Sequence, residues 1–174
     1  MSRWCTVADR WSVLVAGVKK LEGDPGKLID RIRAAHPKVM VQAADAKIVY
    51  GREHAIGALY IAIEALERKV MMANKPETEV LLRLACTDQI SEALKRAGLK
   101  KSHPGCFIAF SKDAHAIKKF GEQIAKEFEL DDSVLSPDKA KKARLEKMLG
   151  ARPKVDDGQF FDFLLERAAI LVKG

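Results

Sequence analysis

Catalysis needs a nucleophile with its base, paired carboxylates, a metal or a phosphate cradle, and these 174 residues carry no recognisable signature of any of them. The nearest approach to a phosphate loop is Glu22-Gly23-Asp24-Pro25-Gly26-Lys27. A P-loop sets four residues between its glycines and a hydroxyl after the lysine; here only Asp24 and Pro25 separate Gly23 from Gly26, and Leu28 follows Lys27. The run reads as the turn before a helix. Cys5, Cys86 and Cys106 are odd in number and far apart, which points to reduced, buried thiols rather than a disulfide framework or a zinc site. Cys86 beside Thr87 and Asp88 stands where a helix N-terminus lowers a thiol pKa, but without a histidine in view a structural role is the better reading. His36, His54, His103 and His115 form no ligand pair at helical spacing. The expectation is a chain with no catalytic residues, no metal and no cofactor.

Two features point instead to an anion. In Lys47-Ile48-Val49-Tyr50-Gly51-Arg52-Glu53-His54 a glycine, two cations and a histidine precede a long helical pattern, where free amides favour phosphate. The alternative is a plain helix start in which Gly51 supplies the turn and His54 bonds locally. The second feature is Lys95, Arg96, Lys100 and Lys101 around Gly98, with His103 near: a solvated turn, or cations that hold a single-stranded RNA end. Net charge is +7 and pI about 9.3, and the excess is local. Residues 95–119 carry seven basic side chains against one acidic, and residues 139–154 the same, whereas 120–138 carry one against six. Aromatic residues make up 6% of the chain, too few for an extensive base-stacking platform.

Elements must position these groups. Trp11–Val18, Val39–Ala43 and Cys106–Phe110 read as strands. Asp24-Pro25 starts a helix that Pro37 stops. The longest helical pattern runs from Arg52 to about Ala73, with Ile56, Leu59, Tyr60, Ile63, Leu66 and Val70 as its core stripe and Ala58, Ile61, Ala65 and Met72 as a second apolar face. Pro76 opens the run Glu79–Ala85, whose pattern fits strand or helix and which is assigned to helix. Thr87 and Asp88 cap Ile90–Ala97, which closes on Gly98 in the left-handed conformation. Ser111 or Asp113 starts a helix to Phe128, Ser136-Pro137 opens a basic one ending at Gly150, and Asp156-Asp157 cap a final helix from Phe160 to Val172 that is apolar around most of its circumference. Such a helix packs fully into its own core or offers one side to a partner. Helices outnumber strands, so the expected class is α+β (mixed α/β): one domain over residues 1–174, with a small three- to four-stranded sheet and about seven helices. No stretch reaches the roughly 18 apolar residues of a membrane span, and Asp9 and Arg10 stand where a signal peptide would be apolar. An intracellular protein is expected.

Taken together, Val41-Gln42-Ala43-Ala44-Asp45, the Lys47–His54 run, the alanine-rich helix to Glu67, Glu79-Val80-Leu81-Leu82 and Gln89-Ile90-Ser91-Glu92-Ala93-Leu94-Lys95-Arg96-Ala97-Gly98 resemble the small regulatory subunit of the KEOPS complex, the family of the PRPK-binding protein (TPRKB) and its archaeal and fungal relatives. The resemblance spans about residues 10–111, and Phe163–Val172 also looks like that family's last helix; in the basic region 112–154 the residues themselves single out no motif of the family. It implies a non-catalytic, cytoplasmic protein (nuclear also, in a eukaryote) of threonylcarbamoyladenosine synthesis on tRNA. Such a subunit docks on the N-terminal lobe of the small KEOPS kinase/ATPase, supports its activity, binds the tRNA 3′ CCA end, and meets the other KEOPS subunits indirectly. The candidate tRNA contacts are Lys47, Arg52, His54, Gln89, Lys95, Arg96, Lys100 and Lys101. The candidate docking residues are Ala58, Ile61 and Ala65 on the long helix with Leu164, Ala168 and Leu171 on a partner-binding terminal helix, 158–172. Relatives often carry a glycine and a basic residue before the Gln-Ile pair. Thr87 and Asp88 stand there in this chain, which removes a phosphate contact at position 88. The competing reading is a free-standing single-stranded RNA-binding module, which leaves the apolar terminal helix unexplained.

Overall fold

The computed structural model describes residues 4–7 and 10–171. Four antiparallel strands form one sheet in the order β1-β2-β4-β3: β1 is Trp4–Val7, β2 Trp11–Val18, β3 Met40–Asp45 and β4 Gly105–Ser111. In the central register Val15 faces Ile108 on one side and Ile108 faces Gln42 on the other. Alternation along the strands sorts side chains into two cores. Val13, Val15, Ile108 and Phe110 point to one face, and Leu14, Ala16, Phe107 and Ala109 to the other.

Helices cover both faces, so even the strands read as near-continuous apolar runs. On the second face lie α1, Pro25–Ala35, and α5, Ala114–Glu127. Aspartates start both helices as their types predict: Asp24 accepts from Lys27 N–H and Asp113 from Ala116 N–H. The first face carries α2, Arg52–Glu67, and α3, Pro76–Ala85, with α4, Ile90–Ala97, and α7, Asp157–Ala169, against α3. Helix α6, Lys139–Leu149, packs on the 3₁₀ turn Ala46–Ile48. An α+β architecture with a small sheet and seven helices is thus observed among the described residues.

Several boundaries differ from the sequence expectation. The long helix ends at Glu67, not Ala73, because Lys69 turns left-handed at φ 59° while its N–H bonds Leu66 O and Val70 N–H reaches Ala65 O. That Schellman end normally advertises itself with glycine. Cys86, φ 49°, closes α3 the same way. Gly98, expected left-handed, is extended at φ −60°, ψ 148°; it bridges Ala44, and a side chain there would meet Leu94 O. Gln89, not Thr87 or Asp88, is the N-cap residue of α4. Asp138 rather than Ser136-Pro137 caps α6, whereas Gly150, φ 62°, ends it as expected. Asp156 caps α7 in a full capping box with Gln159. Val172, assigned to that helix by pattern, lies outside the described residues.

Helix α3 is the hub of the first layer. Every residue from Glu79 to Ala85 is buried, so its polar pair must be satisfied internally. Glu79 accepts from Arg83 Nη2 at 2.7 Å and Nε at 3.0 Å, and from Met72 and Ala73 N–H at 2.8 Å each. Arg83 Nη1 donates to Ala168 O at 2.9 Å and Leu171 O at 3.1 Å. One ion pair therefore holds the α2–α3 loop and the end of α7. Removing one partner of such a pair costs about 3–5 kcal/mol. Arg83→Met is expected to lower the unfolding free energy measured by urea titration by that order and to open the C-terminus of α7 to proteolysis. Glu79→Gln with Arg83→Met should recover part of the loss; equal stability of wild type and the single variant contradicts this account.

Candidate functional site

The predicted cations collect at one end of the sheet, where β2 and β3 finish and β4 begins. Asp45 ends β3 and caps the following turn, its Oδ1 accepting from Lys47 N–H at 2.9 Å. Its Oδ2 lies 3.0 Å from His103 Nδ1, and His103 Nε2 lies 3.4 Å from Lys47 Nζ. A lysine can only donate, so Nε2 accepts and Nδ1 carries the hydrogen bonded to Asp45. His103, absent from the predicted contact set, thereby becomes the link that orients Lys47. Lys100 Nζ donates to Lys95 O at 2.8 Å, which folds the basic turn back onto the end of α4. Lys95 and Lys101 are exposed. Arg96 is partly spent: it reaches Ala85 O and pairs with Glu92. Gln89 is exposed at the opposite end of α4, about 13.5 Å from Gly98 by helical rise. Between them on α4, Ile90 (46% exposed) and Leu94 (55%) leave an apolar strip in water.

Gly51 enters α2 at φ 93°, a conformation that side chains avoid, and its N–H is taken by Leu135 O at 2.8 Å. His54 is fully buried, which withdraws it from the tRNA contacts. Its Nδ1 accepts from Tyr50 N–H at 3.0 Å, the local helix-start bond weighed above. Arg52 is half-buried, and its Nε and Nη2 are shielded from water without a hydrogen-bond partner among the described residues.

The docking residues separate in the same way. Ala58, Leu164 and Ala168 lie inside the chain's own core, so none of the three can meet a partner, whereas Ala65, though buried, borders the groove described next. The alanines of α2 face inward because α2 packs on α3 and β2, while α7 closes on the adjoining Gly57 side, where an added Cβ would sit 2.6 Å from Leu165 Cδ2. Tyr60 and Val70, assigned to the core stripe, are exposed by 45% and 58%. Ile61 and Leu171, both half-buried, remain accessible and line a groove of about 800 Å³ with Tyr60, Val70, Met71 and Arg68. Ile170, at 65% exposed, stands beside Leu171 at the end of α7.

Neither Cys86 nor Cys106 is placed to act as a nucleophile. Burial pushes the Cys86 thiol up to about 11 and Cys106 to about 12, away from the reactive thiolate. No group of three or more His, Cys, Asp or Glu among the described residues is placed to hold a metal ion. No helix among them is long and apolar enough to cross a membrane.

Burial, aided by the Lys141 charge, lowers the His54 pKa from 6.5 to about 4. The unfolded chain therefore binds a proton near pH 6.5 that the folded chain refuses until about pH 4. Stability from this group is complete above pH 6.5 and falls as pH drops toward 4, by on the order of 3 kcal/mol in full. His54→Asn, which keeps an acceptor for Tyr50 N–H, should flatten the melting temperature between pH 6.5 and 4 relative to wild type. Parallel curves for the two proteins refute the assignment.

The family model described as kinase binding protein CGI-121 matches residues 19–148. None of the curated proteins matches the chain. The matched span starts just after β2 and ends one residue short of the end of α6, so it holds the basic sheet end, α2 and the ion-paired α3; it agrees with the resemblance to the small KEOPS subunits read over residues 10–111 and extends it through α5 into α6. This chain belongs to the kinase binding protein CGI-121 family.

Proposed function

We propose that this chain is a non-catalytic KEOPS subunit that docks on the N-terminal lobe of the small KEOPS kinase through the α2–α7 groove and binds the 3′ CCA end of tRNA at the basic sheet end. Family membership supports a kinase partner, and the observation that carries the docking site is the apolar rim of that groove. Tyr60, Val70 and Ile170 are large, exposed and contiguous with half-buried Ile61, Met71 and Leu171. Arg68 and Glu64 supply a polar edge, as protein interfaces usually have. The docking surface thus moves from the faces first assigned to the ends of the same two helices. With the cognate kinase, size-exclusion chromatography should give a stable complex. Ile61→Asp with Val70→Asp should abolish it while leaving the melting temperature within about 2 °C, since these side chains are not deeply buried. Leu164→Asp should unfold the protein instead. A double variant that still forms the complex removes the groove as the docking site.

For tRNA, Lys95, Lys100, Lys101 and Lys47 offer phosphate partners beside the exposed Ile90–Leu94 strip, which suits the apolar faces of unstacked bases. Trimming CCA should weaken tRNA binding by about tenfold, and Lys95→Gln with Lys101→Gln should erase that difference. Equal affinity for trimmed and intact tRNA rejects end recognition and returns the basic sheet end to a solvated turn.

A further inference from the structure

The region 139–154 carries seven cations and one carboxylate, and the fold divides those cations into two groups. Lys141 is spent inside the protein, Nζ donating to Val49 O at 3.1 Å and Val134 O at 2.6 Å. Lys142 bonds Val155 O and Asp157 at 3.2 Å each and lies 5.2 Å from the centre of the Phe160 ring. These two fasten α6 to the body. Lys139, Arg144, Lys147, Arg152 and Lys154 are exposed and pair with no carboxylate among the described residues. Elsewhere, Arg10, Lys19, Lys20, Arg31, Lys38, Arg68 and Lys95 have acidic partners, while exposed Lys27, Lys69, Lys75, Lys118, Lys119 and Lys126 have none among the described residues; what distinguishes the α6 cations is that three of them share one helix arc. At 100° per residue Lys139, Arg144 and Lys147 fall on one arc of α6, with exposed Ala140 and Ala143 between them and half-buried Glu146 outside it. Because α6 packs on the turn that bears Lys47, this arc belongs to the same end of the sheet as the basic turn.

A protein partner usually needs an apolar or aromatic anchor, and lysine is depleted at such contacts. The arc has no large apolar side chain, and its alanines allow a backbone close approach. That pattern complements a chain of evenly spaced phosphates better than a protein surface. We infer that the exposed α6 arc, continued by Arg152 and Lys154, holds the phosphate backbone of the bound RNA away from its 3′ end, without reading sequence. The inference rests on the tRNA reading above but has a separate signature.

Fluorescence anisotropy with intact and CCA-trimmed tRNA tests it on Lys139→Gln/Arg144→Gln/Lys147→Gln. The triple variant should lose about tenfold in affinity for both RNAs, keep the wild-type ratio between them, and show a salt slope shallower by about 2, as three lost phosphate contacts require. Its melting temperature should stay at the wild-type value. Unchanged affinity and salt slope overturn the inference, as does loss of the kinase complex with RNA binding intact. Loss of discrimination between the two RNAs at unchanged trimmed-tRNA affinity also overturns it, since the arc then acts at the 3′ end. If wild type binds neither RNA, the tRNA reading itself fails and takes this inference with it.

Discussion

One carboxylate and one guanidinium, both all but sealed from water, set the arrangement of the first layer. Burying Glu79 and Arg83 is costly unless their bonding capacity is filled, and the chain fills it with backbone: two amides from the α2–α3 loop on one side, two carbonyls from the end of α7 on the other. Three segments distant in sequence thus converge on one helix. The groove proposed for the kinase lies at that convergence, with Arg83 among its lining residues. Its shape follows from satisfying a buried charge pair rather than from apolar packing alone.

Electrostatics elsewhere is a matter of which cations the fold uses. Lys141 is consumed by two carbonyls, Arg96 by a carbonyl and Glu92, and Lys47 is steered by His103 and Asp45. Those left exposed without a carboxylate partner among the described residues include Lys101 in the turn after α4 and Lys139, Arg144 and Lys147 along α6. A net charge of +7 was a weak guide to an anionic partner, because it counts spent and available cations alike. Pairing and exposure separate them.

Strands β2 and β4 and the starts of α1, α5 and α7 were legible because each has a local cause: a valine-rich run in β2, a short apolar and aromatic run in β4, or an aspartate whose carboxylate bonds the third amide of its helix. Gly150 announced the end of α6 for a similar reason. Lys69 and Cys86 adopt the same left-handed cap without the residue that signals it, so α2 appeared six residues too long. Gly98 misled in the opposite sense. Its missing side chain serves a close backbone approach, not a positive φ.

The sequence by itself determined the family, the α+β class and the stock of cations and apolar helices, since these depend on residue type and short-range spacing. It could not determine which face of an all-apolar helix meets a partner. Ala58, Leu164 and Ala168 were as eligible as Tyr60, Val70 and Ile170 until α2, α3 and α7 closed on one another. Small residues permit close helix packing, and close packing covers them. Only the tertiary structure decided that the larger side chains, displaced from the contact, stay in water, and that His54, at the start of α2, is buried as a neutral acceptor instead of held out as a ligand for phosphate.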